Sequence, residues 1–237
     1  MKKILLIYFL SFHVISELTL EITQGTEDPY RVAIIKFSGA EKATNDIQKV
    51  VFDNLLRTGE FTIFNNEDLL SIPQIEEDIV FNDFRILDID FLVMGKVEDD
   101  GLNIAVEYQV FDISKAKKIR SSTVYGIPNK NRQLAHYVSD GIYQEITGIP
   151  GIASTKILYV TEDNNFKLLI SDADGSNEQV LLESTEPIIS PSWSPDSKKV
   201  AYVSFETGIA KVYIQDIASG KRQVAVENSS QISSPAW

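Results

Sequence analysis

The hydrophobic pattern of this 237-residue chain changes period once, near Gly148. Upstream, segments with helical spacing alternate with segments of strand spacing; downstream, only strand patterns separated by turn residues occur. Leu18, Leu20 and Ile22 alternate with polar neighbours, which predicts an edge strand over Leu18 to Thr23, followed by a polar loop from Gly25 to Pro29. Val32 to Phe37 is almost continuously apolar, the pattern of a strand buried on both faces. Ile47, Val50, Val51 and Leu55 recur at helical spacing behind Asn45 and Gln48, a capping-box pair, and Gly59 predicts the stop. Phe61 to Phe64 predicts a short strand. Phe91 to Val97 and Leu102 to Phe111 flank Asp100-Gly101, which predicts a hairpin with a type I′ turn, and Ile119 to Tyr125 predicts a third strand. From Asn131 to Thr147, Leu134, Tyr137, Val138, Ile142 and Ile146 fall on one helix face, and Gly148 and Pro150 end that helix. The pattern predicts an α+β (mixed α/β) N-terminal domain over residues 17–148, with two main helices on one sheet, and a linker over 149–155.

Beyond the linker, Lys156 to Thr161, Phe166 to Ser171 and Gln179 to Leu182 predict strands, and the series restarts with Lys199 to Ser204, Lys211 to Gln215 and Gln223 to Val226. Asp172-Ala-Asp-Gly175 and Ser194-Pro-Asp-Ser197 are turns between them. The restart is an internal repeat. Ser190-Pro-Ser-Trp193 recurs as Ser234-Pro-Ala-Trp237, and Lys167 and Lys211, Ile170 and Ile214, Asp172 and Asp216 keep the same 44-residue offset. A period of that length built from short strands predicts β-propeller blades. A ring needs about four to eight blades, so residues 156–237 are expected to form an incomplete all-β propeller of about two. Trp193 and Trp237, alike in position, are expected to pack between blades.

Charge and candidate chemistry narrow the function. Acidic residues outnumber basic ones by 34 to 22, for a formal net charge of −12, and no basic stripe interrupts the excess, so nucleic-acid partners are disfavoured. Lys2-Lys3 followed by the apolar runs Ile4 to Leu10 and Phe12 to Ile15 predicts an export signal over residues 1–16, cleaved after Ser16; an uncleaved single-span anchor is the alternative. The chain has no cysteine, so its stability must come from its core. Of two histidines, His13 lies in the signal, which leaves His136 one partner short of a metal cluster or a catalytic triad; a partly buried structural or inter-domain role is expected for it. Gly-x-Ser-x-Gly, Gly-x-Gly-x-x-Gly and Walker A patterns are absent. Asp172-Ala-Asp174-Gly175 lacks the glutamate that would close a calcium loop and is expected to be a polar turn; Asp99-Asp100 and Glu76-Glu77-Asp78 are expected to be solvated. Neither an enzyme nor a metal or cofactor site is expected.

Ser190-Pro-Ser-Trp-Ser-Pro-Asp-Ser-Lys-Lys-Val-Ala-Tyr-Val-Ser-Phe-Glu-Thr-Gly208 resembles the blade signature of the TolB family, and His136-Tyr-Val-Ser-Asp-Gly-Ile-Tyr-Gln-Glu-Ile-Thr-Gly148 resembles the last helix of that family's N-terminal domain. The resemblance covers the chain from end to end and in order. It implies a non-enzymatic periplasmic scaffold of the Tol-Pal system, docking Pal through the propeller and TolA through an N-terminal strand, in support of outer-membrane integrity and constriction at division. By resemblance, Glu17, Leu18, Thr19, Leu20, Glu21, Ile22, Thr23, Gln24 and Gly25 form the TolA-contacting strand, by strand addition to a partner's sheet edge; pairing within its own domain is the alternative. Ser197 departs from the family, which usually has glycine in the Pro-Asp-Gly turn. The competing reading is an exported hydrolase whose propeller precedes a catalytic domain.

Overall fold

A computed structural model of the chain describes residues 28–227, 232 and 234–237. Its first half is built on a mixed sheet. Strand β1 (Tyr30–Ile34) pairs in parallel with β3 (Phe61–Phe64) on one side and with β4 (Phe91–Asp99) on the other; β5 (Ile104–Asp112) and β6 (Lys117–Gly126) continue antiparallel, and β2 (Ser38–Gly39) adds a short parallel pair to β4. Parallel pairing of β1 and β3 needs a crossover, which helix α1 (Glu41–Arg57) supplies. Helix α3 (Asn131–Thr147) packs beside α1 on the same sheet face, so two main helices cover one layer as the sequence predicts. Ile47, Val51, Leu55, Leu134, Val138 and Ile142 from these helices meet Val32, Val93, Val106 and Tyr108 from the strands in one continuous core. Gly148 ends α3 in the left-handed region at φ 75°, its N–H donating to Gln144 O.

Several local expectations are corrected. α1 begins at Glu41 rather than behind Asn45, because Gln48 is not a capping partner; its Oε1 accepts from the Phe37 N–H at 3.0 Å and ties the preceding loop to the helix. The β4–β5 connection is not a two-residue type I′ turn. Asp99 pairs with Ile104, so the loop has four residues, and only Gly101 among them takes a positive φ; the Asp100 carboxylate instead accepts from the Leu102 and Asn103 N–H groups. Tyr137 points outward, while Leu134, Val138, Ile142 and Ile146 are buried as predicted. A second, smaller core on the opposite sheet face gathers Ala33, Ile35, Leu92 and Phe111 against Phe84 of a short helix, α2 (Phe81–Ile86), in a stretch without a periodic signal.

The second half contains two antiparallel sheets: β7 (Lys156–Glu162), β8 (Phe166–Asp172) and β9 (Gln179–Ser184), then β10 (Ile188–Trp193), β11 (Lys199–Ser204), β12 (Lys211–Asp216) and β13 (Arg222–Val226). They pack through Leu168, Ile188, Val200, Tyr202 and Tyr213, with Trp193 partly buried against this cluster, and Gln215 Nε2 donates across to Leu181 O at 3.0 Å. Among the described residues these sheets close no ring; they form part of a propeller. Ser197 holds φ 57° in the β10–β11 turn, where Asp196 accepts from Ser194 Oγ and from the Lys198 N–H. No described helix is long and apolar enough to cross a membrane.

Candidate functional site

The strand predicted to bind a partner, Glu17 to Gly25, lies outside the described residues. The site that the structure does assemble is a buried polar junction where α3 meets the first blade sheet. With its apolar face on the mixed sheet, α3 presents Arg132, His136 and Asp140, spaced four apart on the opposite side, to the chain that follows. Asp140 organises that chain: its carboxylate accepts the Ala153 N–H at 2.7 Å and the Ser154 N–H at 3.0 Å. The approach is close enough to demand glycine at position 151, where a Cβ would lie 2.4 Å from Asp140 Oδ1 and 2.5 Å from its Cα. The path then enters β7, and the Ala173 N–H donates back to Thr155 O at 3.1 Å.

Asp172, at the end of β8, and Asp174, in the turn after it, turn their side chains inward to meet this stripe. The Asp174 side chain is buried and pairs with the Arg132 guanidinium; its other oxygen accepts the Ser176 N–H at 2.9 Å. Asp172 accepts from Lys156 Nζ at 2.5 Å and from Asn177 Nδ2 at 2.6 Å. The predicted polar turn between β8 and β9 is present, and it also anchors α3 to the blade sheet because its two carboxylates meet basic partners in the junction. Burial works to raise the Asp172 carboxyl, but the Lys156 ammonium and Asn177 amide outweigh it and its pKa lies below the ordinary value. Asp174 behaves alike, with the Ser176 N–H and Arg132 overcoming burial.

His136 sits at the centre, 3 % exposed. Its Nε2 has no hydrogen-bond partner and lies 3.7 Å from Asp172 Oδ2 and 3.8 Å from Asp174 Oδ2; its Nδ1 is 2.9 Å from Asn54 Nδ2 of α1. Asn54 Nδ2 also donates to Ser139 Oγ at 2.9 Å, and Ser139 Oγ donates to Ala135 O at 2.7 Å. Among the described residues, His136, Asp172 and Asp174 are the one trio with metal-ligand spacing, their ligand atoms within 4.8 Å of one another. Arg132 and Lys156 already match the two carboxylate charges, so the electrostatics are those of a salt-bridge node. Beside it, a groove of about 330 Å³ is lined by Asn54, Thr58, Glu60, Tyr143, Ile152 and Ala173, with the Tyr143 hydroxyl donating to the Glu60 carboxylate at 3.0 Å. The sequence signals for the junction are the four-residue spacing of Arg132, His136 and Asp140 and the paired aspartates after β8.

Comparison with known proteins agrees with this two-part architecture. A model described as the TolB amino-terminal domain matches residues 18–119, and one described as the TolB beta propeller domain matches residues 143–237. The Tol-Pal system protein TolB of Alcanivorax borkumensis is 38% identical over 229 residues, covering 94% of this chain and 52% of its own length. That of a Marinomonas species is 36% identical over 235 residues, covering 94% and 54%. Among solved structures, TolB from Acinetobacter baumannii superposes with a TM-score of 0.78 at 34% identity, over 86% of this chain and 51% of its own. The chain spans about half the length of the curated relatives it matches. The hydrolase alternative gains no support from these matches.

Proposed function

We propose that this chain, which belongs to the TolB family, works as a non-enzymatic protein-interaction scaffold of the Tol-Pal system in the periplasm, joining TolA to Pal. In that role it supports outer-membrane integrity and envelope constriction during division. The observation that carries the reading is the order of the two matches along one chain, amino-terminal domain and then propeller, over 94% of its length in the relatives. Residues 1–16 serve as a cleaved export signal in this account. Glu17 to Gly25 is then the segment that pairs with TolA: its alternating Leu18, Leu20 and Ile22 give specificity, while main-chain groups join a sheet edge.

The junction gives this scaffold its mechanism. A partner on the propeller can alter the N-terminal segment only by binding two arrangements of the lobes with different affinity. The node of Arg132, His136, Asp172 and Asp174 is where such arrangements would differ, because it joins α3 to the first blade sheet through charge pairs rather than through a continuous apolar core. A pull-down tests the reading. Residues 17–237 are presented side by side to the TolA C-terminal domain and to Pal. Capture of TolA is expected, with Pal retained weakly, because the second half of the relatives' length would carry most of the Pal surface. Capture of neither contradicts the proposal.

A further inference from the structure

We propose that His136 is a proton-sensitive bolt: neutral, it holds the junction between α3 and the first blade sheet closed, and its protonation loosens that junction. The hydrogen-bond chain fixes the neutral form. Ser139 Oγ–H donates to Ala135 O, so the Ser139 oxygen is left to accept from Asn54 Nδ2. The second Nδ2 hydrogen then meets His136 Nδ1, which must accept; the ring proton therefore resides on Nε2 and faces the carboxylates. A proton added at Nδ1 sets two donors against each other at 2.9 Å. Relief requires the Asn54 amide to turn over. That breaks its bond to Ser139 and moves Nδ2 to the place where Oδ1 is now buried without a partner. At 3 % exposure the ring has no route to water that leaves its neighbours in place.

The surrounding charges do not rescue the imidazolium. Arg132 and Asp140 face the ring from its own helix, Asp172 and Asp174 from the end of β8 and its turn, and Lys156 of β7 reaches the cluster through Asp172; α1 contributes only the uncharged Asn54. Both near carboxylates are engaged by cations, and a divalent ion would leave the node over-charged beside Arg132 and Lys156. Burial is the largest influence on the ring and outweighs the pull of Asp174 and Asp172, so its pKa lies below the ordinary histidine value. A folded-state value depressed in this sense stabilises the junction fully above the unfolded value of 6.5, and the contribution is lost as pH falls through the folded value. The inference concerns the junction alone and holds whichever partner the N-terminal segment takes.

The test follows the His136 ring resonances of the full chain through a pH titration, assigned by their loss in His136→Gln. Hydrogen exchange of the Ala153, Ser154 and Ala173 amides is followed in parallel, each referred to its intrinsic rate at that pH. The ring is expected to titrate below the ordinary value, protection of the three amides to fall with the same midpoint, and the fall to vanish in His136→Gln. Asn54→Asp, which offers Nδ1 an anionic acceptor, is expected to raise the ring's midpoint by about 1–3 pH units. If His136→Gln does not fold, the wild-type titration and the Asn54→Asp shift decide between them. A ring that titrates at or above the ordinary value, or that stays neutral until the whole chain unfolds, overturns the proposal. So does an acid loss of protection that persists unchanged in His136→Gln.

Discussion

Arg132→Ala and Asp174→Ala delete the same ion pair, yet the first is expected to cost more. Asp174 has a side chain that is 0% exposed, whereas the Arg132 side chain is 36% exposed. Removing the arginine strands a carboxylate whose remaining partner is the Ser176 N–H. Breaking a buried pair in this direction costs about 3–5 kcal/mol; the exposed third of the arginine screens part of the lost attraction, so about 2–3 kcal/mol is expected. Removing the aspartate instead lets the guanidinium turn toward water and forfeits mainly the turn's hydrogen bond, about 1 kcal/mol. The double variant is expected to be no less stable than Arg132→Ala alone, since it deletes the stranded charge. Urea unfolding measures all three, with Trp193 and Trp237 fluorescence reporting the blade sheets and far-ultraviolet circular dichroism the whole chain. Equal costs for the two single variants, or a double variant whose loss is the sum of both, would refute the reasoning.

Other consequences are local. Ser197→Gly relieves a left-handed serine at φ 57°; relief of about 1 kcal/mol less the added glycine entropy leaves a gain of about 0.5 kcal/mol, and a lowered urea midpoint would contradict it. Gly141→Ala should destabilise by about 1–3 kcal/mol despite alanine's helix propensity, because the new Cβ would lie 1.9 Å from the hydroxyl of buried Tyr108; an unchanged thermal midpoint would contradict it. Asp112 has its pKa lowered to about 2, with burial opposing and Lys115 and Ser114 prevailing. Its contribution is therefore complete above the unfolded value of 3.8 and lost as pH falls through the folded one. The stability gap between wild type and Asp112→Asn should narrow over that window in acid titrations of urea unfolding.

Much of the fold was legible because its elements obey one period each. α3 runs from Asn131 to Thr147 as its spacing and Gly148 predict, and the blade strands begin and end within two residues of their patterns. β10 was not legible as a strand: Pro191 lies inside it and Ser190 takes φ 50° where the register shifts between Ile189 and Ser192. The stretch before β4 was opaque for the opposite reason, since α2 is too short to display a period. The junction was hidden by its chemistry. Asp172 and Asp174 in a turn signal solvent, and only the tertiary approach of Arg132, Lys156 and His136 makes their burial favourable. His136 itself was legible only as a structural or inter-domain residue, by elimination, because a lone histidine lacks the partners that catalysis or a metal cluster needs; its full burial was not.

The proposed function makes Glu17 to Gly25 the partner-binding strand of a Tol-Pal scaffold. Calorimetric titration of the TolA C-terminal domain into residues 17–237, and into the same chain shortened to residues 26–237, tests it most directly. Saturable binding to the longer chain and none to the shorter are expected; binding undiminished by the deletion would contradict the proposal.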